Sequence, residues 1–408
     1  MLGGEQDAVR RRSVRIGICL GSTGVGGSEL NALRTVQNLV RDPGFDVSVY
    51  CMGNGPLTTR LQDTGARLFC LDVRGLWGRS ALKAGVSFLR DAKARNIEVI
   101  HTQDVYGNVF FVPWARVARI PVVITSRRWQ KYSPRRGIAQ ADRVASWLAH
   151  RTTANSEVVA KSLRSEYRLP RRRVVVFPNS LSPEMFNREG RVGLRMALGA
   201  EGIPADATIV GSVARLRPVK DLQTLIRATA HLSPRWPDLH VVIVGDGPEK
   251  ENLSELTQEL GLESVVHLVG ERPNIPNPNL AFSVAVLTSL SEGSPNVLLE
   301  AMAVGVPVVA TRVGGSELLV SQSRAGLLVE PGDHVAVAAA LERFLSDREL
   351  ASQYGQAGRD YAKTHHGERE TMEGLKLWYR QLLCDKRGTP STDLSPVGEG
   401  LPRPPQHP

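Results

Sequence analysis

Glu292-Gly293-Ser294-Pro295-Asn296-Val297-Leu298-Leu299-Glu300-Ala301-Met302-Ala303-Val304-Gly305 is the stretch on which the reading of this chain turns. The run before it, Phe282-Ser283-Val284-Ala285-Val286-Leu287-Thr288, has the character of a strand covered on both faces, as in a parallel sheet. Glu292 then falls in the loop at that strand's carboxyl end. Pro295 suits the first position of a helix, with Ser294 as its cap. Glu300 lies about one turn along, roughly 6–8 Å of axial rise from the helix start. Two carboxylates at a helix N-terminus can be simple dipole compensation. They can also hold hydroxyls of a ligand whose anionic part meets the exposed N–H groups. A sugar nucleotide has both features.

Working outward, strands are expected at 208–213, 239–245, 265–270, 282–288, 306–311 and 326–330, separated by helical spacing. This is a doubly wound α/β domain. Ala214-Arg215-Leu216-Arg217-Pro218-Val219-Lys220-Asp221 follows its first strand. Arg215 and Lys220 are thereby placed at a strand end and a helix start, where two cations suit a pyrophosphate without metal. Further helices are expected at 333–346, 348–364 and 368–384, and a Pro-, Gly- and Ser-rich disordered tail from Asp385.

The first half repeats the pattern, with strands at 14–20, 46–51, 67–71, 97–101, 121–126 and 173–178. After the first comes Gly21-Ser22-Thr23-Gly24-Val25-Gly26-Gly27-Ser28-Glu29, then a helix. The loop is either a tight strand–helix turn or a place where backbone approaches a ligand. Its spacing is neither a dinucleotide fingerprint nor a Walker loop, and the second strand ends without an acidic residue. His101 ends one strand, as a satisfied structural residue or a functional one. Arg127-Arg128 ends another and opens a basic run with Lys131, Arg135 and Arg136, punctuated by Trp129 and Tyr132. That run reads as a solvated face, an acceptor surface or a membrane surface. The stretch 76–90 is a basic amphipathic helix whose apolar face packs on the sheet. A break near 182–204 separates two domains facing each other across a cleft.

Composition fits a soluble globular protein: 408 residues, 42% apolar and 23% charged. No run of 18 apolar residues or signal-type leader is expected to span or target a membrane. The four cysteines, Cys19, Cys51, Cys70 and Cys384, lack metal or disulfide spacing and read as buried free thiols in a reducing compartment. His365-His366 reads as polar surface. No Asp-x-Asp pair occurs, so no metal and no cofactor are expected. The net charge of +10 is uneven: residues 1–190 hold 30 Lys and Arg against 15 Asp and Glu, residues 191–408 hold 21 against 26. A basic first half suits a phosphate-bearing acceptor or anionic lipid. Nucleic acid is not expected, because no module for it is recognisable and aromatics are only 5%.

Several of these segments together resemble the family-4 retaining glycosyltransferases of GT-B fold, the group 1 glycosyl transferases. They are Gly24-Val25-Gly26-Gly27-Ser28-Glu29, Pro178-Asn179-Ser180, Ala214-Arg215-Leu216 with Lys220-Asp221, Gly245-Asp246-Gly247-Pro248, and 292–305 running on to Gly314-Gly315-Ser316-Glu317. The resemblance implies two facing Rossmann-like domains, here 1–187 on the acceptor side and 188–365 on the nucleotide-sugar side. A helix at 366–385 would return toward the first, with a tail at 386–408. It implies catalytic roles for Glu292, Arg215 and Lys220: Arg215 and Lys220 on the donor phosphates, Glu292 by the donor sugar. Glu300 would hold the ribose. Gly293, Ser294, Pro295 and Asn296 would lie by sugar and phosphate, and Gly26 and Gly27 would approach from the other domain. On the acceptor side the candidates are His101, Arg127 and Arg128. Many relatives carry a second histidine where this chain has Gln103, a histidine where it has Arg127-Arg128, and an aromatic where it has Ser294.

The expected activity is transfer of a UDP- or GDP-hexose sugar, with retention and without metal. The acceptor would be lipid-linked, glycolipid or polysaccharide, in envelope or exopolysaccharide assembly. The expected location is cytoplasmic, peripheral on the inner face of the plasma membrane. Alternatives are a sugar-nucleotide epimerase of the same fold and a non-catalytic, membrane-docking sugar-nucleotide binder.

Overall fold

The computed structural model describes residues 13–24, 26–128, 136–190, 193–195, 202–204, 206–272, 275 and 277–388. Val25, the basic-run residues Trp129, Lys131, Tyr132 and Arg135, part of the 182–204 break, and the tail beyond Gly388 lie outside them. The chain forms two compact units: one runs to Pro178 and resumes at Arg369, the other is Asn179–Glu368. The division thus precedes Asn187, where the domain boundary was expected, because Leu181, Met185 and Phe186 pack into the second unit's core.

In the first unit the elements are β1 (Val14–Leu20), α1 (Gly27–Val40), β2 (Phe45–Cys51), α2 (Leu57–Gln62), β3 (Arg67–Cys70), α3 (Arg79–Ala94), β4 (Val99–Thr102), α4 (Val105–Val117), β5 (Val122–Arg127), α5 (Arg136–Leu148), β6 (Arg151–Ala154), α6 (Glu157–Glu166) and β7 (Val174–Val176). The strands form one parallel sheet in the order β3-β2-β1-β4-β5-β6-β7. Apolar β-branched strands with helices on both faces demand this arrangement, since each strand is buried twice. Strand β6 has no apolar run in the sequence and was not expected. Its burial is permitted by hydroxyl pairs to β5, Thr125 with Thr152 at 2.9 Å and Ser126 with Thr153 at 2.8 Å.

Helix α3 begins at Arg79, after Leu76 and Trp77, and buries Ala81, Ala84, Phe88 and Ala92 while Trp77 stays 72% exposed. Cys19 and Cys51 are buried, but Cys70 is exposed on the edge strand β3 and Cys384 is half-buried. Only the first two thus match the expected burial.

The second unit holds β8 (Thr208–Val213), α7 (Leu222–Leu232), β9 (Leu239–Val244), α8 (Lys250–Glu259), β10 (Val266–Gly270), β11 (Val284–Leu287), α9 (Asn296–Ala303), β12 (Val308–Thr311), α10 (Gly314–Ser323), β13 (Gly326–Val329), α11 (His334–Ser346) and α12 (Arg348–His365). Its parallel sheet runs β10-β9-β8-β11-β12-β13. Cores on both sheet faces are built from residues such as Ile209, Phe282 and Leu299 on one and Leu225, Val241 and Phe344 on the other.

The last helix, α13 (Glu368–Arg387), contributes Met372, Leu375, Trp378, Tyr379, Leu382 and Leu383 to the core of the first unit. It runs past Asp385, where a disordered tail was expected to begin. Among the described residues no helix is long and apolar enough to cross a membrane. In both sheets the strand order reverses beside the first strand of the unit, and such switch points place ligands at the strands' carboxyl ends.

Candidate functional site

The switch point of the second unit lies between β8 and β11, and the loops leaving those strands carry the acidic and basic residues singled out above. They are stitched together. Leu290 N–H donates to Val219 O at 2.8 Å and Thr288 Oγ1 donates to Lys220 O at 3.0 Å. Lys220 Nζ thereby reaches Glu292 Oε1 at 2.5 Å, and Ser289 Oγ donates to the same oxygen at 2.6 Å. Glu292 is buried, so its charge needs these partners. Lys220 is carried by a single 3₁₀ turn (Pro218–Lys220) that ends at Asp221 in the left-handed region, φ 45°, where α7 starts. Asp tolerates that conformation better than most residues. Arg215 lies exposed on the same loop, one residue after buried Ala214.

Two glycines make this loop possible. Gly245 has φ 140° and Gly247 φ 157°. A Cβ on Gly245 would stand 1.9 Å from Ala214 O, and one on Gly247 2.4 Å from Leu216 O. Backbone therefore lies directly on backbone, sealed by Leu216 N–H to Asp246 O at 3.0 Å and Glu249 N–H to Leu216 O at 3.0 Å. The Gly-Asp-Gly-Pro motif holds the Arg215–Lys220 loop in place by this contact.

Helix α9 begins at Asn296, and Pro295 is its extended cap residue with no side-chain cap bond. The expected Ser294 cap is absent because Asn179 engages that side chain: its Nδ2 donates to Ser294 Oγ at 3.2 Å and Asn296 Oδ1 at 2.7 Å. Asn179 is held in turn by His366, whose Nδ1 donates to Asn179 O at 2.7 Å. His366 is buried, not surface as its sequence suggested, and burial, before any other cause, holds its pKa down to about 4. Glu300 is half-buried one turn into α9, and its carbonyl accepts from Asn277 Nδ2 at 2.8 Å. The start of α10 abuts the same loop, because Gly315 N–H donates to Glu292 O at 2.9 Å and a Cβ there would meet Gly293 O at 2.2 Å. The second unit thus gathers Glu292, Gly293, Ser294, Pro295 and Asn296 with Lys220 at two helix N-termini, with Arg215 and Glu300 on the flanking loop and helix. Exposed N–H groups and fixed cations there favour a diphosphate, and the carboxylates favour hydroxyls.

In the first unit the acceptor-side candidates lie deeper than expected. His101 is buried, with Nδ1 2.6 Å from Tyr379 Oη and Nε2 2.7 Å from Ser126 Oγ. Burial, then the nearby Arg128, lowers its pKa to about 3, so the ring is neutral at physiological pH. Arg127 is no solvated surface: it is buried, 3.3 Å from Glu166 Oε2, with its guanidinium 4.6 Å from the centre of the Tyr167 ring. Arg128 Nη2 donates to Gln103 Oε1 at 3.0 Å and sits by Asn31, lining a small cavity with His101 and Asn155. Gly26 caps α1 in extended conformation and Gly27 is its first residue. Within the chain, backbone lies close to a neighbour at Gly21, where a Cβ would meet Asp104 Oδ1 at 2.3 Å. Asp104 both caps α4 through Gly107 N–H at 2.8 Å and accepts from Gly21 N–H at 2.6 Å.

Ser289, Thr288 and His366 were not anticipated as parts of the second-unit site. Nothing in their spacing marks them, since each acts through a loop contact formed only in the fold.

Both the sequence and the fold match known proteins. Residues 198–361 match the family described as glycosyl transferases group 1, and residues 26–180 match the glycosyl transferase 4-like domain. The D-inositol 3-phosphate glycosyltransferase of Corynebacterium urealyticum is 31% identical over 237 residues, 56% of each chain. The lipopolysaccharide core biosynthesis glycosyltransferase LpsE of Rhizobium meliloti is 34% identical over 183 residues, 45% of this chain and 52% of that one. The chain spans a little over half the length of these curated relatives. Among solved structures, Anabaena HepE in complex with UDP-glucose superposes with a TM-score of 0.78 at 20% identity, covering 90% of this chain and 99% of that one. The chain belongs to the group 1 glycosyl transferases and has the GT-B fold.

Proposed function

We propose that this protein transfers a sugar from a nucleoside-diphosphate sugar to a hydroxyl of a lipid-linked, glycolipid or polysaccharide acceptor, with retention of anomeric configuration. The observation that carries the reading is the Lys220–Glu292 contact at 2.5 Å beside the start of α9, with Arg215 on the same loop. Both signs of charge are held there in advance. In the reaction the bond from the anomeric carbon to the diphosphate oxygen breaks, and Arg215, Lys220 and the helix N–H groups meet the charge that develops on the leaving group. Glu292, close to Lys220, faces the positive charge growing at the anomeric carbon. The acceptor oxygen bonds to that carbon on the face the diphosphate leaves. Its proton passes to the departing phosphate oxygen, so no protein base and no metal are required. Glu300, one turn into α9, takes the donor ribose hydroxyls.

The donor class is supported by the UDP-glucose that HepE holds. The acceptor class is supported by the relative named for lipopolysaccharide core biosynthesis, whereas the relative named for D-inositol 3-phosphate points to a soluble phosphorylated acceptor. Work at the cytoplasmic face of a membrane suits such acceptors. The joint presence of Arg215, Lys220, Glu292 and Glu300 argues against a non-catalytic binder, which need not keep all four. An epimerase of the same fold would instead release a free sugar nucleotide.

The test is transfer assayed with purified Lys220→Ala and Glu292→Ala in the presence of excess chelator. Wild type should stay active, and each variant should lose about 10²–10³-fold in kcat while keeping its circular dichroism. Near-normal turnover in either variant, or dependence of the wild type on added metal, would sink the proposal.

A further inference from the structure

The first unit carries a second concentration of charge that the donor site does not use. Arg116, Arg151, Arg172, Arg173 and Lys386 line one concavity of about 510 Å³ together with His150 and Trp147. They come from separated parts of the chain: the last turn of α4, the start of β6, the 3₁₀ turn before β7 and the end of α13. All lie at the amino ends of the strands, away from His101 and Arg128 at the carboxyl ends. Arg151 and Arg173 have a structural use. Arg151 Nη1 donates to His150 O at 3.0 Å and Arg173 Nη2 to Trp147 O at 2.8 Å, covering carbonyls at the end of α5. Arg116, Arg172 and Lys386 are exposed and have no such use. Among the described residues none of the five pairs with a carboxylate, although their neighbour Arg387 pairs with Glu98.

The histidine in the middle adds an independent sign. Val123 N–H donates to His150 Nδ1 at 2.9 Å, so the single proton of the neutral ring sits on Nε2. Arg116 Nη1 stands 3.0 Å from that same Nε2. Two donors therefore face each other, an arrangement that an anionic acceptor shared by both would relieve. Burial first, and then Lys386, Arg116, Arg151 and Arg173, hold the ring's pKa down to about 4, so the ring is neutral. Beside it the Trp147 ring is exposed, with the Arg173 guanidinium 5.4 Å from its centre.

We propose that this concavity is a second anion site, distinct from the donor site, that binds a phosphomonoester dianion through Arg116, Arg172 and Lys386, with His150 Nε2–H as a fourth donor. The concavity is much larger than one phosphate, so the ligand is a headgroup or a phosphorylated small molecule with a body to lie against Trp147. The reading does not depend on the transferase assignment.

The experiment compares full-length wild type, the double variant Arg172→Gln/Lys386→Gln and, as a control, Arg215→Gln. One arm is calorimetric titration with glycerol 3-phosphate. The other is sedimentation with phosphatidylcholine vesicles with or without phosphatidic acid, at low and high salt. Wild type and Arg215→Gln should bind in at least one arm, and the double variant should bind about tenfold more weakly or worse. Binding in the soluble arm identifies a soluble phosphorylated ligand, and binding confined to the vesicles identifies a lipid headgroup. Equal binding by wild type and the double variant, or no binding in either arm, would overturn it. Both substituted side chains are exposed, so retained melting temperature separates a lost site from a lost fold.

Discussion

At the scale of single residues, the site is decided by atoms that have no side chain of their own to offer. Gly245 has no side chain to offer, yet the Arg215–Lys220 loop rests on it. Gly245→Ala puts a methyl 1.9 Å from Ala214 O at φ 140°, so it should cost roughly 2–4 kcal/mol and raise KM for the donor, read by denaturant midpoint and kinetics. An unchanged midpoint would mean that the loop gives way freely. His101 makes a different kind of prediction. Its folded pKa of about 3 lies below the unfolded value near 6.5, so between them only the unfolded chain binds the proton. Stability is full above about pH 6.5 and falls as pH drops, with a slope of up to about 1.4 kcal/mol per pH unit. Asp104 and Asp142, both raised by burial, act in the opposite sense, so the total slope is a sum. The difference between wild type and His101→Asn isolates the histidine. Parallel stability curves from pH 7 to pH 4 would refute it.

At the scale of elements, α9 is aimed by a relay: His366 holds Asn179, and Asn179 holds Ser294 and Asn296. Asn179→Ala should lower kcat about tenfold with little change in melting temperature, because it frees the loop and leaves the core intact. A large loss of stability with unaltered kcat would instead make Asn179 purely structural. The elements themselves were largely legible. Strands such as 208–213 and 239–245 are apolar because both faces are covered, and that leaves an unbroken run in the sequence. Strand β6 was illegible because its inner face is satisfied by hydroxyls whose partners lie on β5. Arg127 misled for the same reason: the carboxylate and ring that make its burial tolerable, Glu166 and Tyr167, are far along the chain. Glu292, Lys220 and Glu300 could be named from position at strand ends and helix starts. That Lys220 and Glu292 touch, 72 residues apart, follows only from the folding of the two loops onto each other.

At the scale of the whole molecule, the chain finishes its first unit last. Helix α13 brings Trp378, Tyr379, Leu382 and Leu383 into the core, Trp378 against Phe177 and Tyr379 against Phe45, and Tyr379 closes over His101. A chain ending at Gly367 should therefore lose cooperative unfolding of the first unit and bind a hydrophobic dye, while residues 179–367 keep a separate transition. A soluble truncated chain with two intact transitions would contradict this. The order of synthesis gives the same feature another meaning. Domains commonly fold as they leave the ribosome, N-terminal first. Here the first sheet waits, one apolar face unsealed, until α13, which follows the whole second unit, has been translated. The newborn chain is exposed to misassembly until then, and a stop or a stalled ribosome between the second unit and α13 leaves a product whose second unit is finished and whose first is not.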